Sequence, residues 1–290
     1  MVRPEVGHIT VVGVGLLGGS IGLAAKAADD RVTVVGVGRR QASLDRALAA
    51  GAADRATLDI AEGVAKADLV VLATPLGAYE AHLQALGGAL PARAVVTDVG
   101  STKAVVVRLA EGILGRGGPF VGSHPMAGGE HRGVEFARAD LFVGATCIVT
   151  PTPAAPAGRV RRVERFWRSL GAATVRMAPA AHDRAVARVS HLPHVLAAAI
   201  VALQNARSGN LAGTGFLDTT RIASGDPAMW REILLTNRTA LLAAIDAADE
   251  HLMRLRDLIE VGDAAAIERY LAAAKRRRDR LLAERLRRKD

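Results

Sequence analysis

The sequence predicts an α/β protein with a doubly wound, mostly parallel sheet in its first half and an all-helical second half. Two observations carry this. Short β-branched runs alternate with Ala/Leu-rich stretches from His8 to Met177, and strand patterning then stops from His182 onward. The chain has 290 residues, enough for two domains of roughly 100–200 residues each. The change of character places the boundary near Ala178–Pro179, giving units 1–178 and 179–290.

The predicted strands are His8–Val12, Val32–Val37, Asp68–Ala73, Ala94–Asp98, Pro119–Gly122 and Ala145–Val149. Their near-continuous apolar character, without alternation, marks strands covered on both faces. Pro151–Pro156 is a turn-rich connection, Arg159–Leu170 a helix and Ala173–Met177 a last strand. In the second half, Ala185–Ala206 reads as a helix interrupted early by Pro193. Asp226 caps a further helix with Pro227 at its first position. That helix is expected to run through Trp230, Leu234, Leu241, Ile245 and Leu252 to about Ile259, where Gly262-Asp263 stops it before a final helix. Leu and Ala on more than one face of so long a helix call for a covering partner, so a homodimer is expected.

Composition narrows the functional classes. Half of the residues are apolar, and the net charge of +9 is concentrated at the end of the chain. Lys275–Lys289 holds nine Lys/Arg against Asp279 and Glu284, with Asp290 following. Leu271, Ala274, Leu281, Leu282 and Leu286 give that segment an apolar stripe, so it reads as a helix with a solvated basic face. Aromatic residues make up 3% of the chain, too few for stacking platforms, so no nucleic-acid partner is expected. Every apolar run of about 18 residues is broken by a charge or a helix breaker, which argues against a membrane span. Met1–Gly7 lacks the pattern of a signal peptide, so a cytoplasmic location is expected. The single cysteine, Cys147, fits a reducing compartment and a packing role.

The first predicted strand runs into Gly13-Val14-Gly15-Leu16-Leu17-Gly18, followed by a helix. This G-x-G-x-x-G pattern in a strand–turn–helix context is a Rossmann-type dinucleotide fingerprint. Gly13 permits the tight turn, Gly15 lets a pyrophosphate approach the backbone, and Gly18 lets helix and strand pack closely. The N–H groups at the helix start, around Leu16 and Leu17, face the phosphates. Thr74 and Pro75, past the run Asp68–Ala73, complete the expected cofactor contacts. At the end of the second run stands Gly38-Arg39-Arg40, where NAD-selective sites carry a carboxylate. Two guanidinium groups suit a 2′-phosphate, so NADP is slightly favoured over NAD.

The candidate chemistry lies at strand ends. Asp98-Val99-Gly100-Ser101-Thr102-Lys103 follows one strand, and Ser123-His124-Pro125-Met126-Ala127-Gly128-Gly129-Glu130 follows another, so Ser101 and His124 are expected in the crevice that holds the nicotinamide. A His/Ser pair there suits proton abstraction from an alcohol during hydride transfer. Downstream come His182-Asp183 and Ser190-His191-Leu192-Pro193-His194; His191 and His194 are spaced to share a helix face. The spacing matches no zinc pattern, and no metal is expected. Arg221, in the stretch Gly215–Ala223, is a costly charge unless it meets a carboxylate, either Asp218 or an anionic substrate.

Together these motifs resemble the prephenate/arogenate (cyclohexadienyl) dehydrogenase family of tyrosine biosynthesis. The resemblance rests on GVGLLGGS at Gly13–Ser20, DVGSTK at Asp98–Lys103, SHPMAGGE at Ser123–Glu130, HD at His182–Asp183, SHLPH at Ser190–His194 and the stretch from Gly215 through DTTRIA to Trp230. It implies oxidative decarboxylation of a cyclohexadiene bearing a ring hydroxyl and a ring carboxylate. His124 would take the hydroxyl proton, with Ser101 orienting histidine and substrate. Arg221 would hold a substrate carboxylate, and His194 would line the pocket with Ser190 and Asp218. Glu130 would discriminate the substrate side chain. Gly129 stands where members often carry Ser or Thr, and His131 and Arg132 add positive charge after Glu130. The nearest alternative is a β-hydroxyacid dehydrogenase or imine reductase, which typically relies on a lysine that Ala185–Ala206 lacks. A non-catalytic, dinucleotide-sensing dimer is the alternative from another class.

Overall fold

The computed structural model describes residues 6–129 and 131–287, without the side chains of 206 and 285–287. The first half lays down β1 (His8–Val12), α1 (Leu16–Ala28), β2 (Thr33–Val37), α2 (Gln41–Ala49), β3 (Arg55–Thr57), α3 (Ile60–Val64), β4 (Leu69–Leu72), α4 (Tyr79–Leu86), β5 (Val95–Asp98) and α5 (Ala104–Leu114). Then follow β6 (Gly122–Pro125), β7 (Thr146–Thr150), α6 (Ala157–Ser169) and β8 (Ala173–Arg176). The five-stranded sheet has the order β3-β2-β1-β4-β5 and is parallel throughout. The order reverses between β1 and β4, so their carboxyl ends open the crevice where ligands of such sheets bind.

Residues along β1 and β4 alternate between two cores. Ile9, Val11, Leu69 and Val71 pack with Ile21 and Ala24 of α1 and with Val160, Phe166 and Trp167 of α6. Val12, Val70 and Leu72 pack on the other face with Leu83 and Leu86 of α4 and Val106 and Val107 of α5. Each such side chain contributes about 1.5–3 kcal/mol by leaving water. This two-sided burial is why the strands read as unbroken apolar runs.

Three expectations need correction. The short strand β3 is missing from the sequence reading because Arg55-Ala56-Thr57 is only half-buried and lacks an apolar run. The run Pro119–Gly122 only starts the next strand: Phe120 bridges to Val96, and β6 itself spans Gly122–Pro125. His124 therefore lies within a strand rather than past it, paired with Ile148 of the antiparallel β7. β6, β7 and β8 form a second sheet, in which β7 and β8 are parallel. Cys147 is buried in β7, where burial raises its thiol pKa, in keeping with a packing role.

The second half is helical: α7 (Pro179–Val186), a π turn (Ala187–His191), α8 (Leu192–Ala202), α9 (Ala206–Gly209), α10 (Thr214–Thr220), a 3₁₀ turn (Arg221–Ser224), α11 (Pro227–Thr236), α12 (Arg238–Val261) and α13 (Ala264–Arg287). The π turn has a local cause. Pro193 has no N–H to give to the preceding turn, and such widened turns recur at functional sites. Asp226 caps α11 as expected, accepting from the Met229 N–H at 2.7 Å. The expected single helix to Ile259 is instead two, α11 and α12, separated at Asn237, whose side chain is engaged elsewhere.

By length and composition alone, Pro179–Ala202 could cross a membrane. In this fold its His182, Asp183, His191 and His194 are buried, and Asp183 accepts the Lys103 and Ala104 N–H groups at 2.7 and 2.8 Å. The chain forms two compact units, Met1–Arg238 and Thr239–Asp290, so α7–α11 belong with the sheet. The second unit holds α12 and α13, whose Leu242, Leu252, Leu271 and Leu281 are exposed.

Candidate active site

The three fingerprint glycines are needed for three different reasons. Gly13 has φ 100°, and a Cβ there would press on the Ala73 carbonyl and on Thr74. Gly18 has no room either, because a Cβ would overlap the Gly13 carbonyl oxygen. Gly15 faces open space, with nothing within 4 Å of an added Cβ. It caps α1 without a side-chain bond, so the N–H groups at Leu16 and Leu17 keep the positive end of the helix free for an anion. Beside this cradle the Thr74 hydroxyl is buried without a partner, an acceptor or donor held for a ligand. An open glycine, a free helix start and an orphaned hydroxyl fit a dinucleotide.

At the far end of the cradle, Gly38 is half-buried against Leu44 and Val14. Arg39 and Arg40 are exposed, and among the described residues neither has an ion-pair partner. The sequence reading missed His82 on α4. Its Nε2 is buried and unpaired, and burial together with the nearby Arg39 charge lowers its pKa. A lone histidine in an amphipathic helix carries no signal that would have singled it out.

The chemical half of the site is built around His124. It is 9% exposed. Among the described residues no hydrogen bond joins it to Ser101; the ring leans on His182, Nδ1 to Nε2 at 2.9 Å. His182 in turn bonds the neighbouring carboxylate, Nδ1 to Asp183 Oδ1 at 2.8 Å. Burial alone would raise the Asp183 pKa, but His182 and the N–H groups of Ala104 and Lys103 hold it below the usual range. The group is therefore an acceptor-only carboxylate, and His182 Nδ1 must donate to it. For two neutral rings, His182 Nε2 accepts from His124 Nδ1–H, which leaves the His124 Nε2 lone pair free. Burial, then His182, Lys103 and His191, push the His124 pKa well below its ordinary value.

Beneath His124 lies a sealed polar layer. Lys103 is fully buried, and its ammonium meets Asp98 and, at 3.0 Å, the Ser123 carbonyl. Asp98 accepts the Ser123 N–H at 3.0 Å. The Ser123 hydroxyl bonds the Asp98 carbonyl at 2.6 Å, Thr97 at 2.7 Å and the Trp167 indole at 2.9 Å. This network ties the end of β5 to β6 and so fixes the strand that carries His124. The motif around Lys103 is visible in the sequence; its burial is not.

His191 and His194 do share a face, as their spacing requires. His194 stacks on Trp230 with ring centres 3.5 Å apart, and His191 stands perpendicular to the same indole at 6.0 Å. His194 Nδ1 is buried without a partner. Ser101 and Ser190 are half-buried. Arg221 is exposed at the start of the 3₁₀ turn, so the cost of burying it does not arise. Asp218 is likewise exposed, on α10. Glu130 lies outside the described residues.

The comparisons agree with one another. The family model described as the prephenate dehydrogenase nucleotide-binding domain matches residues 21–176, and that described as its dimerization domain matches 178–273. Prephenate dehydrogenase of Bacillus subtilis is 36% identical over 281 residues, covering 94% of this chain and 76% of that protein. Cyclohexadienyl dehydrogenase of Zymomonas mobilis is 33% identical over 263 residues, covering 88% and 89%. The crystal structure of prephenate dehydrogenase from A. aeolicus, in complex with hydroxyphenyl propionate and NAD+, superposes with a TM-score of 0.89 at 33% identity, covering 94% of this chain and 98% of the other. With both family models matched in order across most of its length, this chain belongs to the prephenate dehydrogenase family.

Proposed function

We propose that the protein oxidatively decarboxylates prephenate to 4-hydroxyphenylpyruvate, or L-arogenate to L-tyrosine, with hydride transfer to NAD(P), in tyrosine biosynthesis. The observation that carries this reading is the chain Asp183–His182–His124, which leaves an imidazole lone pair, unprotonated near neutral pH, at the sheet's crevice. When bound, the nicotinamide supplies the hydride acceptor. His124 Nε2 takes the proton from the ring hydroxyl. The resulting imidazolium passes its Nδ1–H bond to His182 and so leans on the Asp183 charge. The ring carboxylate leaves as carbon dioxide, its bonding pair enters the ring, and the phenolate oxygen so formed takes the proton back from His124, aromatisation driving the step. The protein's task is then alignment and proton removal.

Gly13, Gly15, Leu16, Leu17, Gly18, Thr74 and Pro75 would hold the pyrophosphate side of the cofactor. Gly38, Arg39 and Arg40 favour NADP slightly over NAD, supported by two guanidinium groups without ion-pair partners among the described residues. Arg221 would bind a carboxylate of the anionic substrate, and Ser101, Ser190, His194, Asp218 and Glu130 would complete the pocket. Functionally the chain divides into a nucleotide-binding part, 1–178, and a helical part, 179–290, that pairs two copies. The exposed leucines of α12 and α13 support a homodimer. A buried lone cysteine fits a cytoplasmic enzyme.

The test is reduced-nicotinamide formation by the purified protein with prephenate and with arogenate, each against NAD and NADP. Turnover in one pair supports the reaction and ranks substrate and cofactor. Silence in all four pairs, with cofactor binding intact, would favour a β-hydroxyacid-type dehydrogenase instead.

A further inference from the structure

Asn237 separates α11 from α12 in a non-helical conformation, φ −108° and ψ 25°, and is 4% exposed. Its side-chain amide nitrogen reaches two atoms, the Asp183 carbonyl oxygen at 2.8 Å and His191 Nδ1 at 3.0 Å. A carbonyl oxygen only accepts, so the amide end facing it must be the NH2. The same NH2 faces His191 Nδ1, which therefore also accepts. A neutral ring so bound carries its proton on Nε2.

Burial keeps that ring neutral, lowering its pKa to about 4; Asp183 opposes the shift, while His182 and His194 add to it. The titratable groups around it are Asp183 and His182 on α7, His194 on α8 and His124 on β6, with the Trp230 ring of α11 set perpendicular to it. His191 is 1% exposed, and its Nε2 has no hydrogen-bond partner among the described residues. Two neighbouring histidines thus present opposite polarity: His124 an accepting nitrogen, His191 a donating N–H.

We propose that Asn237 is a positioning residue that locks His191 in its Nε2–H tautomer, so that the site offers a neutral N–H donor to an oxygen of the anionic substrate beside the proton-accepting His124. The inference rests on the reaction proposed above. It explains why a helix otherwise continuous in its apolar pattern is interrupted at this residue. The backbone turns so that one amide can hold both the Asp183 carbonyl and the His191 ring.

The experiment is nitrogen NMR on the full-length protein labelled with ¹⁵N-histidine, the His191 signals being assigned with His191→Gln. The wild-type ring should be neutral with the proton on Nε2 near neutral pH. A proton on Nδ1, or an imidazolium, would overturn the proposal without recourse to any variant of Asn237. Asn237→Asp places an acceptor where the donor stood. His191 should then carry a proton on Nδ1, and kcat/KM for the cyclohexadienyl substrate should fall about 10–100-fold, the usual worth of a hydrogen bond to a charged group, with cofactor KM unchanged. An unaltered tautomer, or an unaltered kcat/KM, would overturn it. Absence of turnover by a wild-type protein whose His191 carries the Nε2 proton would fail the reaction reading alone.

Discussion

The cofactor cradle and the histidine cluster are built in opposite ways. The cradle is local: Gly13, Gly15 and Gly18 follow one another from the β1–α1 turn into the start of α1, and it offers backbone rather than side chains to an anion. The cluster is assembled from β6, α7, the π turn and the α11–α12 joint, and side chains joined across 58, 46 and 54 positions do the work. The cradle depends on space left open. The cluster depends on hydrogen-bond direction, each ring's proton being fixed by the next partner along. The first kind of site fails by obstruction, the second by a misplaced proton.

The largest expected effect tests the end of the relay. His124→Asn should lower kcat by about 10²–10⁴, the worth of a general base; a near-normal kcat would remove His124 from the mechanism. Asp183→Asn should keep the shape but lose the acceptor-only carboxylate, with kcat down by about 10² because the His182 and His124 tautomers are no longer enforced. A loss confined to thermal stability would make Asp183 structural. Arg221→Ala should act on substrate KM, by about tenfold, and leave kcat nearly unchanged, as a binding contact does. An unchanged KM would end its proposed role.

The cradle breaks differently at two glycines in the same motif. Gly18→Ala should destabilise the fold by about 1–3 kcal/mol, since its Cβ overlaps backbone that cannot move aside. Gly15→Ala should leave the unfolding midpoint unchanged while raising cofactor KM roughly tenfold. Equal destabilisation by both would show that Gly15 is not reserved for a ligand.

A further effect is global and spread over pH. His191 titrates at about 4 in the fold and near 6.5 when unfolded, and the His124 pKa is also lowered. Below pH 6.5 the unfolded chain therefore binds more protons than the folded one, so stability falls as pH falls. For His191 the loss should be complete near pH 4, at about 3 kcal/mol at most. Urea midpoints measured across that range check the sign; a midpoint that rises on acidification would contradict it.

Much of the fold was legible because two-sided burial leaves unbroken apolar runs such as Leu69–Leu72, and because glycine spacing reports a backbone requirement directly. The strand β3 was not legible, since its residues are half-buried and its neighbours supply the pairing. His124 stood out in the sequence by its glycine-rich setting, but its hydrogen-bond partner His182 did not. Ser101 lies where a strand end predicts it, whereas His182 reaches His124 only through the docking of α7 on Lys103 and Ala104. Asn237 gave no signal in a periodic apolar stretch.

What the sequence determined by itself, then, is the alternation of strands and helices, the phosphate-binding turn and the residue types available for proton transfer, because each follows from local periodicity or from a local steric need. What only the tertiary structure decided is which nitrogen of each histidine carries a proton. That depends on partners contributed by segments far apart in the chain, the Asp183 carboxylate that accepts from His182 and the Asn237 amide that donates to His191, and no local pattern encodes their meeting.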